Sequence, residues 1–175
     1  MRSLAPFAGA LTILVLVAVA SCERQEEERV VEPLTQEEIS GGRLWQRITE
    51  ETDYQNYGHW PGHEGFQPGQ APHGPFHRVY VNRALLSALP ISDKTAPNGS
   101  VIVKENHTAD RDLTGFTVMA KVEGFAPESG NWFWAKYGPD GTIQAEGAVD
   151  SCITCHGGLK QNDYVIIHPL DQQPE

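Results

Sequence analysis

The chain has 175 residues, of which 13 are Lys or Arg and 23 are Asp or Glu, giving a formal net charge of −10 at pH 7. This acidic balance excludes a nucleic-acid-binding protein, because neutralising phosphates requires basic patches. The part of the chain after residue 21 has the usual size of one domain with a single hydrophobic core.

Residues 1–21 have the pattern of a bacterial export signal. Arg2 supplies the positive start, and residues 8–20 form an apolar stretch too short for a comfortable membrane span. Small residues then precede Cys22, which resembles the lipobox of bacterial lipoproteins. We therefore expect a lipid on Cys22 that anchors the protein on the periplasmic side of a bacterial membrane, and the following Glu23 favours the outer membrane. The alternative is ordinary secretory cleavage that leaves a free thiol.

Residues 22–34 contain a run of Glu, Arg and Gln and few apolar side chains. Such a segment cannot bury enough surface to order itself, so it is predicted to be an acidic flexible tether, with a short solvated helix as the alternative. The domain itself is predicted to cover residues 35–175.

The predicted domain begins with a helix and a long loop. Thr35 and Glu38 have the spacing of a capping box, which predicts a helix that starts there and continues to about Glu51. Residues 56–75 are rich in Gly, Pro and His and show neither helical nor strand periodicity. Long ordered loops of this kind often carry function.

Alternating aromatic and β-branched residues then predict four strands. They cover residues 76–82, 100–105, 116–122 and 131–137. A short helical turn is predicted at 84–89, and Gly- and Pro-containing turns precede the second strand and follow the fourth. The sequence therefore predicts an α+β fold: a mainly antiparallel β-sheet with an N-terminal helix and a short C-terminal helix.

The predicted C-terminal helix carries Cys152, Cys155 and His156, whose C-x-x-C-H spacing is typical of c-type haem attachment. Each thiolate can add to one vinyl group of the porphyrin, and the histidine can bind the iron. A redox dithiol or half of a zinc site is the alternative, but neither a second cysteine pair nor a thioredoxin-like strand and helix accompanies the motif. We therefore expect one covalently bound haem c per chain. With Cys22 assigned to lipid, no cysteine remains for a disulfide.

The position of this motif bears on the coordination of the iron. Small electron-transfer cytochromes place it early and take a Met ligand from far downstream. Here the two methionines are Met1, in the signal, and Met119, in a predicted strand where core packing is the commoner role. We therefore expect a five-coordinate or weakly ligated iron that binds small molecules. The irregularly spaced histidines of the 56–75 region do not favour a second metal site.

The segments 73–82, 97–106, 116–122 and 132–137, together with the C-x-x-C-H motif, resemble the cytochrome P-460 and cytochrome c′-β superfamily. The resemblance covers most of the chain from residue 40 to residue 168. It implies a periplasmic, mainly antiparallel β protein that forms homodimers and holds a five-coordinate haem with an open distal face. P-460 proteins carry a lysine bonded to the porphyrin and oxidise hydroxylamine. The c′-β proteins lack that bond and bind NO or CO beneath aromatic side chains.

Lys104 is the candidate for the porphyrin cross-link that the resemblance implies. Alternation places Lys104 and Ile102 on one face of their strand, opposite Val101 and Val103, but does not show which face meets the haem. The alternative is a lysine that is exposed to solvent or paired with Glu105.

Hydroxylamine oxidation also needs a base near the iron. The acids considered are each expected to be solvated charges: Glu105, Asp110, Glu123 and Glu146. The aromatic residues that could cap the site are also common core residues: Phe116, Phe125, Trp132, Phe133 and Trp134. The sequence leaves open an enzyme that passes electrons to a periplasmic acceptor and a non-enzymatic NO or CO binder. A simple electron-transfer cytochrome would need a sixth protein ligand that no residue clearly supplies.

Overall fold

The computed structural model of the chain describes residues 31–172. The predicted signal peptide, the lipidation site Cys22 and most of the predicted tether lie outside the described residues. Within the described part, the strands are Gln67–Pro68 (β1), Phe76–Val81 (β2), Val101–His107 (β3), Leu113–Lys121 (β4), Trp132–Tyr137 (β5) and Ile143–Gly147 (β6). The α-helices are Gly41–Gln46 (α1), Arg83–Leu86 (α2) and Asp150–His156 (α3), and α3 continues as a 3-10 helix over Gly157–Asn162.

The N-terminal helix starts later than the capping-box pattern predicts. Thr35 does donate its amide hydrogen to Oε2 of Glu38 at 3.0 Å, but only one turn forms there. Ser40 is extended, with φ −153°, and its Oγ accepts the amide hydrogen of Arg43 as the true N-cap of α1. The helix then ends in one π-helical turn at Arg47–Glu51. The predicted helix therefore exists, but the prediction of its start was wrong because a second, competing cap follows the first.

The six strands form one antiparallel sheet in the order β1-β2-β3-β4-β5-β6. Each strand therefore pairs with its neighbours in sequence, and the four predicted strands correspond to β2, β3, β4 and β5. The register places Lys104 opposite Val79 on one side and Thr117 on the other. This sheet, with its few short helices, confirms the α+β prediction.

Both faces of the sheet are covered by apolar side chains. On one face, called here the N-terminal face, α1 and the chain after it pack on the sheet. The buried residues of this face include Leu44, Ile48, Tyr54, Tyr80, Val103, Phe116, Val118, Phe133 and Tyr137. The other face, called here the C-terminal face, is covered by α2, α3 and the chain that follows α3. Its buried residues include Val79, Val81, Leu85, Ile102, Met119, Trp132, Trp134, Tyr164, Val165 and Leu170.

The residues just before α1 contact the domain. The guanidinium of Arg47 donates a hydrogen bond to the carbonyl of Glu32 at 2.6 Å, and Leu34 is buried in the core of the N-terminal face. These contacts tie the end of the predicted tether to the first helix. Among residues 31–172, no helix is both long enough and apolar enough to cross a membrane.

Candidate haem site

Helix α3 carries both cysteines and the histidine of the haem motif. The carbonyl of Val149 accepts hydrogen bonds from the amides of Cys152 and Ile153, each at 3.0 Å, and so starts the helix. Cys152 and Ile153 pack against the core of the C-terminal face, whereas Cys155 is exposed. Both thiols are free, and burial raises the pKa of the Cys152 thiol. Three residues apart, the two side chains are neighbours on the helix surface.

His156 is held with one ring nitrogen ready to bind a metal. Its Nδ1 lies 2.8 Å from the carbonyl oxygen of Tyr164, and since a carbonyl can only accept, Nδ1 carries the proton. Nε2 is then the unprotonated nitrogen, as in most metal-bound histidines. Trp134 packs edge-on against the ring, with the ring centroids 4.7 Å apart. Burial lowers the pKa of His156 and outweighs the opposing hydrogen bond to Tyr164, and the charge of Lys104 lowers it slightly further, which favours the neutral, metal-binding form.

A buried ion pair places the carbonyl that orients His156. Asp163 and Tyr164 both adopt left-handed backbone conformations, with φ 50° and 65°. The carboxylate of Asp163 lies 2.5 Å from Nζ of Lys121 in β4, and both side chains are less than a tenth exposed. The carbonyl of Asp163 also accepts the indole hydrogen of Trp132 at 2.8 Å. The strands β4 and β5 therefore fix the turn that presents the Tyr164 carbonyl to His156.

Lys104 lies on the C-terminal face, the same face of the sheet that carries α3. It points away from Val103, as the predicted alternation requires, and lies in the row of Val79 and Thr117. No carboxylate in the described part of the chain forms an ion pair with it. Burial lowers the pKa of Lys104 to about 8. A partly buried amine without a counter-charge is therefore next to the haem motif.

Lys104 is close enough to three histidines for its charge to act on them. After burial, which is the largest cause for each ring, the Lys104 charge lowers the pKa values of His73, His77 and His156. The pKa of His73 falls to about 3 and that of His77 to about 4. Both rings are therefore neutral at physiological pH, and the four residues surround one region of the C-terminal face.

The long loop before β2 contributes His73 to this region. Its Nδ1 lies 3.1 Å from Oγ1 of Thr117 in β4. The His73 ring faces the His156 ring, with the centroids 6.4 Å apart and the ring planes at 84°. The loop was predicted to carry function, but His73 was not singled out within it. Its position depends on contacts with β4, which the local sequence does not indicate.

The residues on this face fit a haem. Three of their buried polar atoms have no hydrogen-bond partner among the described residues: Nε1 of Trp134, Oδ1 of Asn106 and Nδ1 of His77. Buried polar atoms are normally paired, so each unpaired atom needs an explanation. Haem brings carboxylates, which can accept a hydrogen from an indole, and a flat apolar ring, which suits the buried side chains of Ile102 and Met119. Cysteines for attachment and an imidazole for iron lie on the same face.

The acids considered as bases lie elsewhere. Glu105 is on the N-terminal face and is only 5 % exposed, so the expectation that it is a solvated charge was wrong. It accepts a hydrogen bond from the Tyr54 hydroxyl at 2.8 Å, and its other oxygen is 3.2 Å from Nε2 of His107 and 3.7 Å from the guanidinium of Arg78. Glu105 is therefore not the partner of Lys104. The remaining three acids are exposed: Asp110, Glu123 and Glu146.

The aromatic residues considered as caps divide between the two faces. Phe116 and Phe133 belong to the core of the N-terminal face, and Phe125 packs against that core. Trp132 and Trp134 lie on the C-terminal face, where Trp134 contacts His156. Only the two tryptophans of this set are therefore on the side of the haem motif.

Met119 lies on the C-terminal face, between Ile102 and Trp134 in the sheet register. It is 7 % exposed and belongs to the apolar cluster of that face. This buried, apolar environment agrees with the expectation that Met119 packs in the core and does not bind the iron.

One face of the antiparallel sheet carries the C-x-x-C-H helix, an imidazole nitrogen available to a metal, and buried polar atoms without hydrogen-bond partners. Together these features define the class of the protein as a haem protein. Comparison with known proteins agrees: the chain matches the family model of cytochrome P460 over residues 43–167. The chain therefore belongs to the cytochrome P460 family, which confirms the resemblance found in the sequence. It is a haem protein of the cytochrome P460 and cytochrome c′-β kind. No curated protein matches the chain.

Proposed function

We propose that the protein is a lipid-anchored periplasmic c-type haem protein that acts on small nitrogen species, with hydroxylamine oxidation as its leading activity. The position of Lys104 carries this proposal. Its amine lies on the same face as His156, and no acid among the described residues pairs with it. An unpaired, partly buried lysine is unfavourable for stability alone. It suits a side chain that bonds to the porphyrin.

The side chains of α3 would hold the cofactor. Cys152 and Cys155 would form the thioether bonds, and His156 would bind the iron through Nε2. A haem held there would supply a ferric iron that accepts electrons from hydroxylamine. The Tyr164 carbonyl would keep His156 in the tautomer that leaves Nε2 free. A periplasmic electron acceptor would complete the oxidation.

The lowered pKa of Lys104 supports the cross-link, because at a pKa of about 8 a fraction of the amine is neutral and nucleophilic near neutral pH. Bonding Nζ to a ring carbon removes one hydrogen from the amine and one from the carbon. Two protons then pass to water, and two electrons must pass to a two-electron oxidant such as a peroxide. Maturation would therefore need an oxidant for the Lys104 bond, in addition to the addition of the two thiols that attaches the haem.

Replacing Lys104 with Ala is expected to return the absorption spectrum to that of an ordinary c-type haem and to abolish hydroxylamine oxidation, because the altered macrocycle would no longer form. The intact mass of the holoprotein should also rise relative to the sum of its parts by the two hydrogens that the bond removes. Lys136→Ala is the matched control, since Lys136 lies in the same row of the sheet but is exposed. An unchanged spectrum in Lys104→Ala would overturn the cross-link.

A gas-binding protein of the c′-β type is the second candidate. It is favoured by one observation: none of the four acids considered as proton acceptors lies beside His156. In that case Lys104→Ala would bind NO and CO as the unaltered protein does, and neither protein would oxidise hydroxylamine. The same pair of measurements therefore separates the two functions.

Location and assembly are proposed from the sequence and the family. Cys22→Ser is expected to move the protein from the membrane fraction to the soluble fraction, because the lipid is the proposed anchor. Glu27→Gln, in the same predicted tether, should leave the protein in the membrane fraction. Membrane partitioning that survives Cys22→Ser would contradict the lipid anchor. We also propose a homodimer, as the family resemblance implies.

A further inference from the structure

Two histidine rings from distant parts of the chain face each other on the C-terminal face. His156 is the last residue of α3, and His73 lies in the loop between β1 and β2. Their centroids are 6.4 Å apart, and the ring planes are nearly perpendicular, at 84°. Within the described residues, no group of three or more His, Cys, Asp or Glu side chains is arranged to hold a metal ion. A metal between these two rings would therefore need further ligands from a cofactor.

The distance between the two rings suits direct coordination of one iron. Imidazole nitrogens bind first-row metals at about 2 Å, and each ring centre lies about 1.2 Å beyond its nitrogen, so two axial imidazoles have centroids roughly 6.4 Å apart. A histidine that only donates a hydrogen bond to an iron-bound ligand needs an extra bond of about 3 Å, which moves the centroids to roughly 8 Å or more. The observed spacing fits the first arrangement.

Each of the two rings is held through its Nδ1 atom. Nδ1 of His156 is bonded to the Tyr164 carbonyl, and Nδ1 of His73 is paired with the Thr117 hydroxyl. On His156 the carbonyl fixes the proton on Nδ1 and leaves Nε2 for iron, and on His73 Nε2 is the ring nitrogen that the Thr117 hydroxyl does not occupy. In haem proteins the porphyrin supplies the four equatorial nitrogens, so two axial imidazoles complete a six-coordinate iron.

The loop around His73 holds the ring in place through its backbone. The amide of His73 donates to the carbonyl of Gln70 at 2.8 Å, and the amide of Gly69 donates to the carbonyl of Pro75 at 2.7 Å. Gly74 has φ +78°, and a Cβ built there would lie 2.5 Å from the carbonyl oxygen of His107. A glycine is thus required where the loop meets β3, directly beside the histidine.

We propose that His73 is the sixth ligand of the iron in the resting ferric protein. This inference rests on the proposed function only in that it needs a haem attached at α3. A small nitrogen ligand must then displace His73 before it reaches the iron. The segment 70–72 at the tip of the loop is exposed, so His73 would leave the iron by a rearrangement of this loop that breaks the hydrogen bond between the His73 amide and the Gln70 carbonyl. Access to the iron is therefore controlled by the protein itself.

The ferric holoprotein is expected to give the low-spin absorption and electron paramagnetic resonance spectra of two axial imidazoles. His73→Ala should convert it to a high-spin species, and added imidazole should restore the low-spin spectra. His59→Ala is the matched control, because His59 also lies in the long loop before β2 and its Nδ1 is paired, 2.7 Å from the carbonyl oxygen of Val79, but its ring packs against Tyr80 in the core of the N-terminal face. That variant should remain low-spin.

Ligand binding gives an independent measurement. If His73 leaves the iron for less than about a tenth of the time, the apparent affinity for cyanide is at least about tenfold weaker than that of an open iron. His73→Ala should therefore bind cyanide at least about tenfold more tightly than the unaltered protein does, whereas His59→Ala should not. A high-spin ferric spectrum in the unaltered protein would overturn the inference. That result would leave the Lys104 cross-link standing, because the cross-link is measured by intact mass.

Discussion

A variant that combines Cys152→Ala, Cys155→Ala and Lys104→Ala is expected to lose all covalently attached haem. The two free thiols on α3 are the proposed thioether donors, and the lysine is the third proposed bond, so no covalent link would remain. The measurement is haem staining of the protein after denaturing electrophoresis. Because His156 is unchanged, the folded variant should still bind haem reversibly, and this binding is measured by absorption after reconstitution.

The control for this variant is Thr154→Ala in the Lys104→Ala background. Thr154 lies between the two cysteines on the same helix and is exposed, so its removal should leave the haem stain at full strength. Full staining in the triple variant would show that neither cysteine is needed for attachment. Loss of staining in the Thr154 control would show that the variants fail to mature for another reason.

Replacing Lys121 with Met is expected to lower the free energy of unfolding by about 3–5 kcal/mol. The substitution keeps an apolar stem of similar length but leaves the Asp163 carboxylate buried without its counter-charge. One hydrogen bond to that carboxylate remains, from the amide of Ala96 at 2.9 Å, so the lower end of this range is expected. Chemical denaturation followed by circular dichroism measures the change.

Lys136→Met is the matched control, since Lys136 lies on the neighbouring strand and is exposed. Surface substitutions of this kind usually change stability by less than about 0.5 kcal/mol. A loss of less than about 1 kcal/mol in Lys121→Met would mean that the pair contributes no more than a surface ion pair does. The Asp163 turn would then not depend on Lys121 for its conformation.

The strands that could be predicted are those with a buried face. Strands β2 to β5 alternate aromatic and β-branched residues, and both faces of the sheet are covered, so their apolar content is high. The two edge strands were not predicted. Strand β1 has two residues, one of them a proline, and β6 is largely exposed and contains a single β-branched residue. Edge strands of this kind carry little periodic signal.

The C-x-x-C-H motif is recognisable in the sequence because its three chemical groups lie within five consecutive residues. For Lys104, alternation gave the correct grouping with Ile102, but the face that carries the haem motif depends on where α3 packs. That packing is a long-range property of the chain. The position of Lys121 does indicate an ion pair, because a lysine in an otherwise apolar strand is seldom buried without a partner of opposite charge. The identity of that partner, Asp163, could not be read from local sequence.

Strand β3 carries opposite charges at adjacent positions, with Lys104 toward the haem motif and Glu105 among Tyr54, His107 and Arg78. Because successive side chains point to opposite faces, a slip of one residue in the pairing of β3 would exchange them. A carboxylate would then lie on the face of the haem motif, and an ammonium would enter the opposite core. The side chains of β3 that are buried against the two cores oppose this exchange. The sign of the charge beside the haem motif is therefore a property of the sheet's register as much as of the side chain that bears it.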